Sequence, residues 1–329
     1  MAHEPKTLTE AIMYFSDANN CIDYLALRRW PGGAVACLTC GRKDVAYVPS
    51  RRLWQCKTRH SKAQFSIKTG TILEDSPLGL DKWLPVMWMV ANCKNGVSSW
   101  EIHRALGVTQ KTAWFMLHRI RLGMQDKDSG GKLGGPNAQV EIDETYIGGK
   151  ARFMHKAKRR RLSDGIGMQG GHGKTVVIGA LERGGKIKAR VIGDRKYPAV
   201  HGAVRDFVER GTTIMTDEFS AYPGLAGEYQ HQFVNHLEKY VDGQVHTQGL
   251  ENFWSLLKRG LGGTYVAVEP FHLFRYVDEQ AFRFNNRATK DNPVNDGDRF
   301  SLLCEQIVGK RLTYAGLTAK EDKKPEVPF

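Results

Sequence analysis

The sequence predicts an α/β chain: a mixed sheet flanked by helices in its C-terminal half, preceded by a small metal-stapled β module and two helices joined by a tight turn. Three observations carry this. From Gln139 onward short alternating apolar stretches dominate, giving way to helical periodicity after Leu250. Between Pro31 and Ser76 short β-like pieces are broken by turns and hold Cys and His in a two-plus-two spacing. Between Leu80 and Met124 the pattern is helical, with an interruption at Leu106-Gly107-Val108. A chain of 329 residues with 41% hydrophobic residues can bury a full core and has room for two or three domains. Its 48 Lys and Arg against 35 Asp and Glu leave a formal charge of +13, which favours a polyanionic partner, nucleic acid first.

The elements follow in order. Residues 1–30 read as helical, with Leu8, Ile12, Phe15, Ile22 and Leu25 at loosely helical spacing. The β module spans 31–79, with pieces at Asp44 to Val48, Leu53 to Cys56 and Gln64 to Ile67, and the two-helix unit spans 80–125. The run QDKDSGGKLGGPN is Gly-rich and polar, so 126–137 reads as a linker. Residues 138–290 supply strands at Gln139 to Ile147, Thr175 to Leu181, Lys186 to Ile192, Thr212 to Thr216 and His231 to Val234. Helices in the same span are expected near Pro198 to Arg210, Leu250 to Arg259 and Pro270 to Arg287. In the closing segment, 291–329, the tail beyond about Tyr314 is expected to be disordered.

Six cysteines lie at 21, 37, 40, 56, 93 and 304, and only Cys37 and Cys40 form a close pair, so this is not a secreted disulfide framework. The N-terminus lacks a signal pattern, and the most apolar stretch, Leu84 to Cys93, is far short of the roughly 20 residues of a membrane span. A cytosolic, reducing location is expected, with no membrane partner.

Cys37-x2-Cys40 followed by Cys56-x3-His60 has the ligand types and spacing of a closed tetrahedral Zn2+ site. Gly41 stands where a metal knuckle needs a tight turn. So small a β segment has too little apolar surface to fold alone, and metal ligation supplies the difference, which makes this a structural zinc ribbon. The plainer alternative is two chance thiols and a surface His60.

Ser98-x-x-Glu101 is a capping-box signature, Leu106-Gly107-Val108 a turn, and Thr109 a cap for a second helix. In that helix Ala113, Met116, Leu117, Ile120 and Met124 form one apolar stripe, leaving Gln110, Lys111, Thr112, Trp114, His118, Arg119 and Arg121 to point outward. Amide and basic side chains at its start suit base edges in the major groove, and Arg119 and Arg121 suit phosphates, as in a helix-turn-helix. An ordinary helical hairpin in a core would show the same pattern.

Three acidic residues complete the reading. Asp143 alternates with Val140 and Ile142 on a strand, Asp217 ends the strand TTIMT, and Glu251 opens the helix LENFWSLLKRG, one face of which it shares with Lys258. Taken singly, Asp143 could be a surface aspartate and Asp217 a helix N-cap. Taken together, converging carboxylates repel one another unless a cation lies between them. Two Mg2+ ions so held can activate a water or 3'-hydroxyl against a phosphodiester and stabilise the leaving oxygen, with Lys258 positioning a phosphate.

The segments QFSIKTGTILEDSPL, EIHRALGVTQKTAWFMLHRIR, VEIDETYIGG, TIMTDEFSAY and HTQGLENFWSLLKRG together resemble DDE-type transposases of bacterial insertion sequences, the insertion sequence 1595 group (ISXO-like). The resemblance runs from the ribbon through about Arg287 and implies an RNase H-like catalytic domain. Asp143, Asp217 and Glu251 would be its metal-binding triad and Lys258 its basic position on the last catalytic helix. Between the two aspartates lie 73 residues, and between Asp217 and Glu251 lie 33, within the range of such domains. Where relatives can carry Asn or His in the third position, this chain has Glu. Many relatives complete the ribbon with Cys-x2-Cys, whereas this chain has Cys56-x3-His60.

What the resemblance implies is a transposase that binds the terminal inverted repeats of its element through ribbon and helix-turn-helix, nicks the ends and joins 3'-hydroxyls to target DNA. It would use two Mg2+ ions, or Mn2+ in their place, and a structural Zn2+. The partner is double-stranded DNA, and holding two ends calls for a homodimer or larger assembly in the bacterial cytoplasm, at the nucleoid. In the basic loop from Lys150 to Lys174, the run Lys158, Arg159, Arg160 and Arg161 reads as a phosphate clamp, against the alternative of a solvated mobile loop. Rival readings are a non-catalytic DNA-binding regulator derived from a transposase and a structure-specific nuclease with an RNase H-like core.

Overall fold

The computed structural model describes residues 4–125, 131–149, 174–217, 222–234, 247–290 and 292–319. The chain forms two compact units: Met1–Asp126 together with Asn286–Phe329, and Lys127–Asn285.

The first unit begins with α1 (Leu8–Phe15) and α2 (Ala18–Arg29), whose exposed N-terminal N–H groups are met by the side chains of Thr7 and Asp17. Phe15, Ile22 and Leu25 are buried as their spacing predicts, but Leu8 and Ile12 are 36% and 50% exposed, because α1 is short and turns only Ala11 and Phe15 inward. Three antiparallel strands follow in the order β1 (Val45–Val48), β2 (Leu53–Cys56), β3 (Gln64–Phe65), with Trp54 paired to both Tyr47 and Phe65. The apolar helix α3 (Leu80–Asn92) then runs through the unit's core with Trp83, Leu84, Met87 and Trp88 buried.

Helices α4 (Ser99–Leu106) and α5 (Gln110–Met124) are joined at Gly107, whose φ of 65° only glycine adopts at little cost. The capping box forms as the sequence predicts: Glu101 N–H donates to Ser98 Oγ at 3.2 Å and Ser98 N–H to Glu101 Oε2 at 2.6 Å. The chain's last helices return to this unit. From α9 (Asp296–Gln306), Phe300 enters an aromatic cluster with Phe15, Tyr24 and Trp88 at centroid distances of 5.5, 5.4 and 5.1 Å. The expected disorder beyond Tyr314 does not begin there: Tyr314–Thr318 forms a short helix, α10, with Leu317 fully buried, and residues 320–329 lie outside the described residues.

In the second unit a five-stranded sheet has the order β6-β5-β4-β7-β8. Its strands are β4 (Gln139–Ile147), β5 (Thr175–Glu182), β6 (Ile187–Ile192), β7 (Thr213–Asp217) and β8 (Gln230–Val234). The first three form an antiparallel meander, and β7 and β8 add in parallel on the other side of β4. Between β6 and β7 the chain makes α6 (Tyr197–Phe207); after β8 come α7 (Gln248–Gly260) and α8 (Leu273–Asn285). Alternation in the strands feeds two cores. Val140, Ile142, Ile178 and Ile214 meet Val200 and Val204 of α6, while Val177 meets Leu250, Phe253, Trp254 and Leu257 of α7 and Val277 of α8.

Part of the stretch read as a linker is folded onto this unit. Leu133 is buried and exchanges backbone hydrogen bonds with the 207–209 stretch, Leu133 N–H to Phe207 O at 2.7 Å and Glu209 N–H to Leu133 O at 2.9 Å. Gly134, at φ 94°, lies so close to Thr212 that a Cβ there would sit 2.4 Å from its hydroxyl oxygen. A Gly-rich run served close backbone approach here, where sequence alone read spacer.

Candidate active site and metal centre

The Cys–His cluster forms around the first knuckle. Gly41 takes φ 73° and its N–H returns to Cys37 O at 2.9 Å, folding Cys40 back beside Cys37. Strand β2 delivers Cys56, and His60 follows in the β2–β3 turn. The ligand atoms of Cys37, Cys40, Cys56 and His60 all lie within 4.8 Å of one another. Cys40 Sγ and Cys56 Sγ are 3.7 Å apart and Cys37 Sγ is 3.4 Å from His60 Nε2. A tetrahedron with bonds of about 2.3 Å to sulfur and about 2.0 Å to nitrogen has edges of roughly 3.5 to 3.8 Å, so these two separations are close to those of a Zn2+ site, and the donor set, with all its atoms within 4.8 Å of one another, could hold the ion.

The protonation chemistry agrees. His60 Nδ1 lies 2.7 Å from Ser61 O, which fixes the ring and turns Nε2 toward the sulfurs. That carbonyl, then the thiols of Cys56 and Cys37, hold the imidazole up at about 9. Burial raises the Cys37 thiol, but hydrogen bonds from the Cys40 and Thr39 backbone outweigh it and bring it down to about 6. A divalent metal binds such donors as thiolates and a neutral imidazole, so its uptake would release their protons.

The three acidic residues are carried by β4, β7 and α7. Strands β4 and β7 run side by side in parallel with Glu141 opposite Met215, and two residues further along each strand come Asp143 and Asp217. Neighbouring strands lie about 4.8 Å apart. The side chain of Asp217 lies outside the described residues. Asp143 is half-buried, and Trp254 Nε1–H donates to its Oδ2 at 2.9 Å. On the other side of β4, Asp143 pairs with Gly179 of β5, where a Cβ would stand 2.9 Å from the Trp254 ring; the missing side chain lets the indole reach the carboxylate. Glu251 and Lys258, one turn before and after Trp254, are both exposed.

A second carboxylate on the same face of β4 was not singled out by sequence. Glu141 is 2% exposed, its Oε2 accepts from Leu250 N–H at 3.1 Å, and its Oε1 pairs with Arg183 Nε at 3.2 Å. The helix cap Thr247 makes no side-chain cap bond, and this carboxylate meets the first turn of α7 from the sheet face on which that helix packs. A Cβ on Gly249 would lie 2.8 Å from that oxygen and 2.4 Å from Leu181 Cδ2. The only sequence signal was alternation, which put Glu141 and Asp143 on one face and no more.

The expected nucleic-acid contacts on α5 need correction. His118, Arg119 and Arg121 do not point outward: they are 0%, 4% and 1% exposed. The Arg119 guanidinium donates to Glu74 O and stacks 5.4 Å from the rings of both Trp83 and Phe115. The cause is that α5 is packed by α3, α4 and α9 together, so one apolar stripe does not define its whole buried surface. Gln110 and Thr112 are half-buried, bonded to Ser99 Oγ and Thr109 Oγ1 at 2.8 Å each, while Lys111 is exposed with its ammonium 4.6 Å over the Tyr314 ring. Lys158, Arg159, Arg160 and Arg161 lie outside the described residues. No helix among the described residues is long and apolar enough to cross a membrane.

Residues 132–285, nearly the whole sheet-bearing unit, match the model of the ISXO2-like transposase domain. This region is similar to a transposase domain. The resemblance to ISXO2-like transposases read from the sequence segments is thereby met over the unit that carries Asp143, Asp217 and Glu251. A relative spans both units of the chain: an uncharacterized protein in transposable element ISH50 of Halobacterium salinarum is 27% identical over 266 residues, covering 76% of this chain and 85% of the relative.

Proposed function

We propose that this protein is a transposase that cleaves and joins DNA at a two-metal site formed by Asp143, Asp217 and Glu251. The observation that carries the reading is the pairing of β4 with β7, with Asp143 and Asp217 each two residues beyond the Glu141–Met215 pair on adjacent parallel strands. An antiparallel meander of three strands extended by two parallel ones, in the order β6-β5-β4-β7-β8, is the topology expected of an RNase H-like core and supports that assignment. Carboxylate oxygens are the donors Mg2+ takes, and Asp143 is half-buried and oriented by an indole N–H while Glu251 faces solvent, which suits a hard cation meeting a phosphate backbone. Mg2+ in that place would supply an activated water or 3'-hydroxyl and charge on the leaving oxygen. The chain's own residues do the rest: Trp254 fixes the Asp143 carboxylate, Glu251 completes the ligand set, and Lys258 holds a phosphate as a point charge.

In this reading the first unit recognises the ends of the element. The α4–α5 pair acts as a helix-turn-helix, with Lys111 and the exposed Trp100 and Arg104 at the DNA, and the Cys–His cluster holds structural Zn2+ in a ribbon beside it. Arg119 and Arg121 drop out of that interface and serve the unit's core. The run Lys158 to Arg161 clamps phosphates, and two protomers or more hold paired ends. The test is incubation with labelled element ends in Mg2+ beside random and branched duplexes. Cleavage confined to ends, abolished by Asp217→Asn while end-binding persists, is the expected result. Cutting of branched DNA without end preference would replace the transposase with a nuclease, and end-binding without any cleavage would leave a regulator.

A further inference from the structure

We propose that Glu141 is a positioning residue that sets the place of Glu251 relative to Asp143, a role that rests on the metal-holding reading of the acidic trio. Glu251 is on α7 and Asp143 on β4, 107 residues of chain between them, so something must fix the helix against the strand. Two ties do so on one face of β4. Asp143 accepts from Trp254, in the second turn of α7, and Glu141 accepts from Leu250, the residue immediately before Glu251. Added to the apolar packing of Leu250, Phe253, Trp254 and Leu257, these two bonds oppose rotation of α7 about its axis and sliding along it, which holds the backbone of Glu251 in register with β4.

The chemistry of the contact favours placement over simple burial. A carboxylate at a helix N-terminus is stabilised by the unpaired N–H groups there. Yet a second acid so near Asp143, two residues along the strand or about 7 Å, works against packing further negative charge into the site. Arg183 offsets it, held in turn by its Nη1 bond to Gln139 Oε1 at 3.0 Å and its N–H bond to Gln139 O at 3.0 Å. Gly249 completes the device: without a side chain the helix start comes close enough for the bond to form. Each part lies around the one helical turn that bears Glu251.

The experiment uses the full-length protein and measures Mn2+ uptake by the loss of free-ion electron paramagnetic resonance signal, with the Mg2+ dependence of end cleavage alongside. Glu141→Gln turns an amide toward either Leu250 N–H or Arg183, and Gly249→Ala pushes the helix start off Glu141 while leaving every carboxylate in the chain. Both should raise the half-saturating metal concentration about tenfold or more, the scale on which groups outside the ligand set act. Metal-free binding of element-end DNA should stay as it is. Val204→Ala, in the core under the opposite face of the sheet, serves as the purely structural comparison: it should lower the melting temperature and leave the metal dependence unchanged. Wild-type uptake with unshifted Glu141→Gln and Gly249→Ala, or an equal shift in Val204→Ala, overturns this inference alone. A wild-type protein that takes up no Mn2+ at that site overturns the trio's metal-holding reading as well. Should Glu141→Gln fail to fold, Gly249→Ala decides.

Discussion

Replacing Trp254 by Phe removes the indole N–H bond to Asp143 and shrinks the ring lying over Gly179. The indole is 4% exposed and its Nε1–H is 2.9 Å from Asp143 Oδ2. A buried hydrogen bond to a charged acceptor contributes roughly 1.5 to 3 kcal/mol, and the smaller ring leaves a gap costing about 1 kcal/mol more. The expected loss is about 3 kcal/mol. For a unit of the size of Lys127–Asn285 each kcal/mol moves the melting temperature by roughly 2 to 4 °C, so a fall of about 6 to 12 °C is expected by circular dichroism. The geometry adds a second, sharper expectation. Gly179→Ala alone sets a methyl 2.9 Å from the indole and 3.0 Å from Leu250 Cδ2 and destabilises by overpacking, and a phenyl ring at 254 relieves the first of these contacts. The double variant Gly179→Ala/Trp254→Phe should therefore be more stable than the sum of the single losses, by about 1 kcal/mol. Strict additivity, or a Trp254→Phe loss under about 1 kcal/mol with Mg2+-dependent cleavage intact, would refute the account of how Asp143 is held.

Other expectations concern the first unit. Cys40→Ser should lower bound zinc by elemental analysis and weaken end recognition, since three remaining donors no longer close the tetrahedron; unchanged zinc content counts against the ribbon. Chelation of the wild-type metal should lower the first unit's melting temperature by the free energy that ligation supplied, read as a chelator-dependent transition. Burial pushes the Cys21 thiol up to about 12 and raises that of Cys304 also. At pH 8 the Cys21 thiolate fraction is then on the order of 10⁻⁴, so both cysteines should resist iodoacetamide until the unit unfolds. Because the folded value lies above the unfolded one, their contribution is fully present below about pH 9 and is lost as pH climbs toward 12. A stability profile flat from pH 8 to 11 would contradict this.

What could be read in the sequence was what period and local chemistry encode. Strand β4 matches its predicted span of Gln139 to Ile147, and the Ser98–Glu101 box and Gly107 turn are where their residue types require. The Cys–His spacing brought four ligand atoms together because a knuckle and a short hairpin are local structures. Contacts between distant segments left no such mark. Trp254 was legible as one apolar position in a stripe, but its N–H meets Asp143 across 111 residues of sequence. Glu141 looked like any polar residue on an alternating strand, although Leu250 and Arg183 both converge on it. Arg119 misled for the opposite reason. A basic residue off the apolar stripe reads as solvent-facing, and only the fold brings the Glu74 carbonyl and two aromatic rings to receive it.

The return of the chain's last segment to the first unit has a consequence for biosynthesis. Arg28 donates to Ser301 Oγ at 2.8 Å, and Asn92 exchanges bonds with Asp296 and Arg299, so α9 is an integral part of what α2 and α3 build. The sheet-bearing unit is thus an insertion in the sequence of the other. A nascent chain emerging from the ribosome carries the amino-terminal helices long before Phe300 exists to fill their aromatic cluster, and a product cut short after residue 290 would expose Trp88 and Tyr24 to water. Premature termination or proteolysis between the units would therefore yield an incomplete fold in place of a stable truncated product.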